Sequence, residues 1–214
     1  MALPDYLAIE GPIGVGKTSL ARRLAGTFET DLLLEGAESN PFLERFYNDP
    51  KNGALPAQLF FLFQRARQMQ ELRQADLFSP VRIADFVFEK DRLFAELTLS
   101  KEELDLYDKV YEKLSVEVKK PDLVIYLQAP VSVLQERIAQ RGIHFEQAMG
   151  ENYLHRIADA YTRMFYNYSD TPLLIVNAQN IDWVNNERDY DLLVNEIGSI
   201  KHGRHFFNPG HGEL

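Results

Sequence analysis

The chain has 214 residues, of which 45% are apolar and 26% charged, an ordinary globular composition that excludes disorder of the whole chain. Lys and Arg number 23 against 32 Asp and Glu, so the net charge is −9 and the cationic surface needed for general nucleic-acid binding is missing. The absence of cysteine excludes disulfides, thiolate metal sites and cysteine nucleophiles. With no apolar run near the roughly 20 residues of a membrane span and no export signal, we expect a cytoplasmic protein without membrane contact.

Apolar strands and amphipathic helices alternate along the chain. The patterns predict strands at residues 6–9, 32–34, 81–88, 123–127 and 173–176, and helices at 17–28, 55–77, from 100 towards 121, 131–140, 147–168 and 187–197. This alternation predicts an α/β fold with a five-stranded parallel sheet covered by helices on both faces. We expect one domain over residues 1–200 and a C-terminal tail over 201–214.

The strongest motif directly follows the first predicted strand. Residues 11–18 read GPIGVGKT and match the P-loop pattern G-x-x-x-x-G-K-[S/T]. Backbone N–H groups of such a loop surround phosphate oxygens, the lysine neutralises the β- and γ-phosphates, and the hydroxyl ligates Mg²⁺. The motif predicts nucleotide binding by Gly11, Gly14, Val15, Gly16, Lys17, Thr18 and Ser19.

A P-loop does not specify the reaction, but further segments do. The sequence has no N-K-x-D guanine-reading segment and no transporter-ATPase signature, which leaves small-molecule kinases as the leading class. From the P-loop to about residue 168 the chain resembles the deoxynucleoside kinase family, and most of all its bacterial purine-specific members. The resemblance is carried by residues 9–11, by Glu35 ahead of the N-P-F at 40–42, and by 46–50, 55–58, 85–95 and 126–130.

Glu35 follows the second predicted strand. A hydroxyl that attacks a phosphorus atom needs a group that orients it and accepts its proton. The resemblance implies that Glu35 is this general base, beside the 5′-hydroxyl of a deoxynucleoside. Glu38 is a nearby alternative with a less suitable spacing to Asn40, and a solvated loop carboxylate is the structural alternative.

Asp85 stands within the third predicted strand. A carboxylate in an apolar strand is costly to bury unless it is paired or metal-bound, which favours a functional role. The resemblance implies that it replaces the acidic residue of the family's E-R-S segment and lies near Mg²⁺, together with Thr18. The chain departs from that segment in having Phe86 for the arginine and Val87 for the serine, so the guanidinium that would make one phosphate or 5′-hydroxyl contact is missing. Lys90 is a candidate for the missing charge.

Three polar residues match the family positions that recognise the base. Gln58 and Arg65 are seven residues apart and so lie on one face of the long predicted helix, and Asp91 follows later. Such side chains read base edges through paired hydrogen bonds, which discriminate strongly. The combination resembles the purine and deoxycytidine members of the family. An ordinary Arg–Asp surface pair is the alternative.

The resemblance also assigns the sugar site. Tyr47 and Glu146 match the pair that holds the 3′-hydroxyl. Arg137 and Arg141, four residues apart at the end of a predicted helix, match the lid arginines that cover the ATP phosphates, in a lid spanning about residues 137–147. Guanidinium groups there stabilise charge on the transferring phosphoryl group.

The resemblance implies transfer of a phosphoryl group from ATP, with Mg²⁺, to the 5′-hydroxyl of a deoxyribonucleoside in nucleotide salvage. Deoxyadenosine and deoxyguanosine are favoured, with deoxycytidine next, and the resemblance implies a homodimer. A nucleoside monophosphate kinase is an alternative because it would share the P-loop and lid. A nucleotide-binding regulatory subunit without catalysis is a second alternative, made conceivable by Phe86.

Overall fold

A computed structural model of the chain describes residues 4–75, 82–114, 118–144, 146 and 149–209. Within these residues strands and helices alternate as predicted. The strands are β1 (Tyr6–Glu10), β2 (Asp31–Leu33), β3 (Arg82–Ala84), β4 (Leu123–Gln128), β5 (Leu173–Asn177) and β6 (Arg204–Phe207). The helices are α1 (Lys17–Phe28), α2 (Leu43–Asn48), α3 (Pro50–Ala75), α4 (Lys90–Thr98), α5 (Lys101–Leu114), α6 (Val131–Arg141), α7 (Glu151–Tyr166) and α8 (Glu187–Ser199).

The strands form one parallel sheet in the order β2-β3-β1-β4-β5-β6. The α/β prediction is confirmed, but the sheet has six strands where five were predicted. The additional strand, Arg204–Phe207, lies in the segment predicted as a tail and pairs with β5 at the sheet edge. It escaped prediction because an edge strand of four residues, exposed at every other side chain, carries little apolar signal.

The sheet separates two apolar layers. Along β1, Tyr6 and Ala8 face the layer formed with α3, α4, α5 and α7, whereas Leu7 and Ile9 face the layer formed with α1, α6 and α8. Successive side chains of a strand point to opposite faces, so a strand buried on both sides is apolar throughout. This double burial explains why the sequence alone predicted β1 and β4. The P-loop follows the carboxyl end of β1.

The third predicted strand is shorter than expected. β3 ends at Ala84, so Asp85 lies just beyond its carboxyl end and not inside it, while Val81 lies outside the described residues. Phe86 and Phe88 suggested a longer strand because they are buried in the core although the chain there is no longer extended. The turn leads into α4, which the sequence analysis missed.

Helix ends follow local chemistry. At the start of α5 the Ser100 hydroxyl accepts from the Glu103 N–H at 3.3 Å, and a Glu103 carboxylate oxygen accepts from the Ser100 N–H at 2.9 Å, so the predicted capping box is confirmed. Helix α3 begins at Pro50, before the predicted position 55, because proline suits the first helical turn, where no N–H partner is needed. The predicted end of α3 at 77 and start of α7 at 147 lie outside the described residues. None of the described helices is long and apolar enough to cross a membrane.

Candidate active site

The P-loop connects the carboxyl end of β1 to the start of α1. Gly11 has φ +152°, and a Cβ atom there would lie 2.3 Å from the Leu127 carbonyl oxygen. Gly16 has φ +103°, and its Cβ would lie 2.8 Å from the Trp183 ring. Both backbone conformations and both close approaches require glycine. The sequence motif is therefore placed between a strand and a helix, as a P-loop requires.

Lys17 lies across the mouth of this loop. Its Nζ donates to the carbonyl oxygens of Gly11 at 2.7 Å and Pro12 at 3.2 Å. Burial, reinforced by the positive charge of Lys90, lowers the pKa of Lys17 to about 8. The ammonium group is thus held in the position where a P-loop lysine binds phosphate, and a negatively charged ligand there would stabilise its charged form.

Asp85 connects the P-loop to the end of β2. The Thr18 hydroxyl donates to its Oδ2 at 2.5 Å, and the Glu35 backbone N–H donates to its Oδ1 at 2.7 Å. A hydroxyl and a carboxylate side by side fit Mg²⁺, which takes one or two protein oxygens together with water and substrate phosphates. Among the described residues, no group of three or more His, Asp or Glu side chains is arranged to hold a metal by itself.

Glu35 lies two residues after the end of β2 and carries its carboxylate between two cations. Oε2 accepts from Lys90 Nζ at 2.9 Å, and Oε1 pairs with the Arg65 guanidinium. Burial alone would raise the pKa of Glu35, but the positive charges of Lys90, Arg65 and Lys17 outweigh it and hold this pKa well below its usual range. The carboxylate is therefore ionised at neutral pH and able to accept a hydrogen bond from a hydroxyl group.

Arg65 joins Glu35 to the predicted base-reading residues. One terminal nitrogen of its guanidinium pairs with Asp91 and the other with Glu35. Burial would lower the pKa of Arg65, but the two carboxylates outweigh it and raise this pKa above its ordinary value, so the buried cation stays charged. The rings of Phe61 and Phe86 lie 5.1 and 5.6 Å from the guanidinium carbon. Phe86, where the resemblance expects arginine, thus packs against Arg65.

Gln58 lies on the same side of α3 as Arg65 and is buried at the wall of the same cavity. Its side-chain amide makes no hydrogen bond within the described part of the chain, although the residue is only 4% exposed. Because Gln58 lines the cavity, its amide is available to a ligand, and a ligand that bonds to it is favoured over one that does not.

The predicted sugar and lid residues line this cavity too, but their contacts differ. Arg141 and Glu146 both line the cavity and form an ion pair with each other. Arg137 instead donates to the carbonyl oxygens of Val15 at 3.1 Å and Ala178 at 2.8 Å, and thereby fixes α6 to the P-loop. Tyr47 lines the cavity near them, and burial raises the pKa of its phenol well above the ordinary value.

Sequence reasoning assigned no role to Glu10, which is fully buried at the end of β1. Its carboxylate accepts from the N–H groups of Gly11 at 2.8 Å and Val87 at 3.0 Å and from the Tyr161 hydroxyl at 2.9 Å. Lys90 Nζ is 3.6 Å away. The signal was a carboxylate at the end of an otherwise apolar strand, which needs bonding partners to be buried.

One cavity of about 1070 Å³ connects these groups. It extends from residues 179–186, past the P-loop, to the pocket between α3 and α4. Lys17, Thr18, Glu35, Asp85 and Lys90 lie along its length. A cavity of this size holds a drug-sized or larger ligand with a few polar groups at its walls. Most of the predicted site residues therefore line one cavity at the carboxyl ends of β1, β2 and β3. Gly11 and Asp91 do not line it; Asp91 is buried and reaches the cavity only through its ion pair with Arg65.

The comparisons with known proteins agree with this arrangement. The model of the family described as "Deoxynucleoside kinase" matches residues 7–201. The chain belongs to the deoxynucleoside kinase family. Members of this family are phosphotransferases, so the family resemblance and the enzyme class inferred from the sequence are confirmed.

Individual relatives cover nearly the whole chain. The deoxyguanosine kinase of Bacillus subtilis (strain 168) is 33% identical over 206 residues, which cover 94% of this chain and 99% of that protein. The deoxyadenosine/deoxycytidine kinase of the same organism is 26% identical, with 92% and 94% covered. Deoxyadenosine kinase from M. mycoides, solved with the products dCMP and a flexible dCDP, has a TM-score of 0.79 at 26% identity and covers 91% of this chain and 99% of that one.

Proposed function

We propose that the protein transfers the γ-phosphoryl group of ATP to the 5′-hydroxyl of a purine deoxyribonucleoside. A single chain of contacts carries this proposal. Thr18 of the P-loop bonds to Asp85, and Asp85 bonds to the backbone N–H of Glu35. The phosphate-binding loop and an ionised carboxylate able to orient a hydroxyl therefore open into the same cavity.

In the proposed reaction the 5′-oxygen forms a bond to the γ-phosphorus while the bond from that phosphorus to the bridging β–γ oxygen breaks. The electron pair of the broken bond stays on ADP, and the hydroxyl proton passes to the Glu35 carboxylate. Lys17 binds the β- and γ-phosphates. Thr18 and Asp85 would hold Mg²⁺, which when bound neutralises charge on the phosphate oxygens.

In the proposed reaction the lid arginines Arg137 and Arg141 bind the phosphates, and Arg141 gives up its present ion pair to do so. Arg141 leaves Glu146 for the transferring phosphoryl group, and the released Glu146 carboxylate joins Tyr47 at the sugar 3′-hydroxyl. The ion pair between Arg141 and Glu146 supports this exchange because it holds both groups ready beside the cavity. Arg137, bonded to the Val15 carbonyl, turns its remaining N–H donors to the phosphates.

The purine preference rests on Gln58, Arg65 and Asp91. Gln58 and Arg65 line the inner end of the cavity and offer an amide and a guanidinium to a purine edge. Asp91 does not line the cavity; it is buried and holds Arg65 in place through their ion pair. The similarity to a deoxyguanosine kinase and to a deoxyadenosine/deoxycytidine kinase supports the same choice. We place deoxyguanosine and deoxyadenosine ahead of deoxycytidine. Family membership also supports a homodimer, which light scattering of the purified protein tests, and a cytoplasmic location.

Phosphoryl transfer from ATP and Mg²⁺ to a panel of acceptors tests the proposal. The panel holds deoxyguanosine, deoxyadenosine, deoxycytidine, thymidine, adenosine and the corresponding monophosphates. We expect transfer to the purine deoxynucleosides above all others. Transfer to monophosphates alone would identify a nucleoside monophosphate kinase. ATP binding without transfer to any acceptor would identify a regulatory subunit.

A further inference from the structure

Lys90 is the first residue of α4, and its side chain is 3% exposed, yet it lines the cavity. A buried ammonium group is costly unless it is paired or used by a ligand. We propose that Lys90 is a catalytic residue that donates a hydrogen bond to the transferring phosphoryl group, beside Glu35. The inference rests on the proposed function and adds a residue to it.

The contacts of Lys90 leave it able to bind a ligand. Nζ donates to Glu35 Oε2 at 2.9 Å, whereas Glu10 Oε1 at 3.6 Å is beyond hydrogen-bond distance and acts through its charge. An ammonium group has three N–H donors. One is used by Glu35, and the others remain for a group inside the cavity.

The cation next to Lys90, Arg65, has fewer N–H donors available to a ligand. Arg65 is engaged by Asp91 and Glu35 through separate nitrogens. Phe86, which occupies the position where the family resemblance expects arginine, is fully buried and packs against Arg65. The remaining Arg65 donor, Nε, has no hydrogen-bond partner but is fully buried. Within the described residues of this part of the cavity, Lys90 is therefore the cation with donors left for a ligand.

The position of Lys90 relative to Lys17 supports the assignment. Lys17 and Lys90 both line the cavity, so both ammonium groups border one space. The positive charge of Lys90 also lowers the pKa of Lys17, second only to burial. Glu35 lies beside that space. A phosphoryl group that moves from the P-loop to a substrate hydroxyl bound by Glu35 would pass through this space. During the transfer its equatorial oxygens carry negative charge.

In the proposed step Lys90 keeps its proton. The bond between the γ-phosphorus and the 5′-oxygen forms as the bond to the ADP oxygen breaks, and the hydroxyl proton passes to Glu35. Lys90 donates to an equatorial oxygen of the γ-phosphoryl group, and this bond strengthens as charge collects there. Interactions that strengthen in the transition state raise kcat more than they change substrate binding.

Lys90→Met, Lys90→Arg and the exposed control Lys101→Met test the assignment. We expect Lys90→Met to lower kcat roughly 100-fold, the usual effect of removing one transition-state donor, with the KM for the deoxynucleoside within about threefold of wild type. Lys90→Arg keeps a positive donor and should recover part of kcat. Lys101→Met should match the wild type.

A second measurement separates catalysis from folding. Calorimetry with ADP, Mg²⁺, aluminium fluoride and deoxyguanosine measures binding of a mimic of the transferring phosphoryl group. We expect Lys90→Met to bind the mimic at least about 30-fold more weakly while binding of ADP and of deoxyguanosine alone is kept. Equal loss of all three affinities, or a kcat close to wild type, would overturn the assignment of Lys90. Failure of the proposed function would instead appear as no transfer by the wild-type protein.

Discussion

The two ends of the cavity differ in what forms them, backbone at one end and buried charged side chains at the other. At the donor end the backbone of the P-loop shapes the site, and a Cβ atom at Gly11 or Gly16 would clash with the Leu127 carbonyl oxygen or the Trp183 ring. At the acceptor end the site consists of buried charged side chains, with Arg65 shared between Glu35 and Asp91 and with Lys90 on the other Glu35 oxygen. Asp85 connects the two ends.

This difference predicts two kinds of sensitivity. A backbone site fails when a side chain is added, because neither the positive φ angle nor the close approach tolerates a Cβ atom. A charged side-chain site fails when one partner is removed, because the remaining partner is left buried and unpaired. Substitutions at the two ends should therefore affect different kinetic constants.

The largest effect is expected at the acceptor end, for Glu35→Gln. Loss of the carboxylate removes the proton acceptor, so kcat should fall roughly 100-fold or more, within the range for a general base, while deoxynucleoside binding is largely kept. The matched control is Glu38→Gln, the exposed alternative three residues along the chain. Steady-state kinetics that gave Glu38→Gln the loss and left Glu35→Gln active would reverse the assignment.

Gly16→Ala should damage the donor end. The added Cβ would lie 2.8 Å from Trp183 at a positive φ angle, so we expect ATP to bind roughly 10- to 30-fold more weakly, which corresponds to about 1.4–2 kcal/mol. The only tryptophan of the chain is the one against Gly16, and its fluorescence reports ATP binding directly.

Gly26→Ala is the control within α1. A Cβ atom there meets nothing within 4 Å, so this substitution should leave ATP binding unchanged and raise the free energy of unfolding by about 0.5–1 kcal/mol. If both alanine variants bound ATP as the wild type does, the backbone description of the donor end would be wrong.

The pH dependence sharpens the role of Lys17. Its pKa of about 8 in the free protein lies below the ordinary lysine value, so raising the pH through 8 removes the proton that phosphate binding needs. We expect kcat/KM for ATP to fall about tenfold per pH unit above 8, because this ratio reports the free enzyme. At saturating ATP the triphosphate stabilises the charged lysine, and kcat should fall only at higher pH. A kcat/KM that stays level beyond pH 9 would contradict this assignment.

The smallest effect is expected for Arg23→Met, behind the donor end. Arg23 bonds to the carbonyl oxygens of Trp183 and Val184, pairs with Glu187 at 2.5 Å and lies 3.9 Å from the Tyr190 ring centroid. Without Arg23 the segment 183–187, which lies beside the P-loop, loses these contacts. The KM for ATP should therefore rise about three- to fivefold with kcat unchanged. Exposed Arg188→Met is the control. A lowered kcat with an unchanged KM would argue against an anchoring role.

The donor end was predictable because its residues are contiguous. The P-loop stands between a strand that is apolar up to Glu10 and a helix with regular spacing, and both elements are local patterns in the chain. The acceptor residues Glu35, Arg65 and Asp91 come from three separate segments and were identified only through the family resemblance. An Arg65–Asp91 pair was considered only at the surface, whereas the structure has it buried and Arg65 shared with Glu35, which was not predicted.

Three features were missed for physical reasons. Phe86 and Phe88 have the apolar character of a strand but pack in a turn, so the end of β3 was misplaced and α4 was missed. The edge strand β6 is too short and too exposed to show a pattern. The partners of Glu10 come from positions 11, 87 and 161, and no local pattern connects them.

Inhibition by adenosine and deoxyguanosine joined through a polyphosphate chain tests most directly that one cavity binds both substrates. We expect a single inhibitor molecule per chain to compete with ATP and with the deoxynucleoside alike, and to bind more tightly than ADP or deoxyguanosine alone. Competition with ATP but not with the deoxynucleoside would place the acceptor outside this cavity and contradict the roles given to Glu35, Arg65 and Lys90.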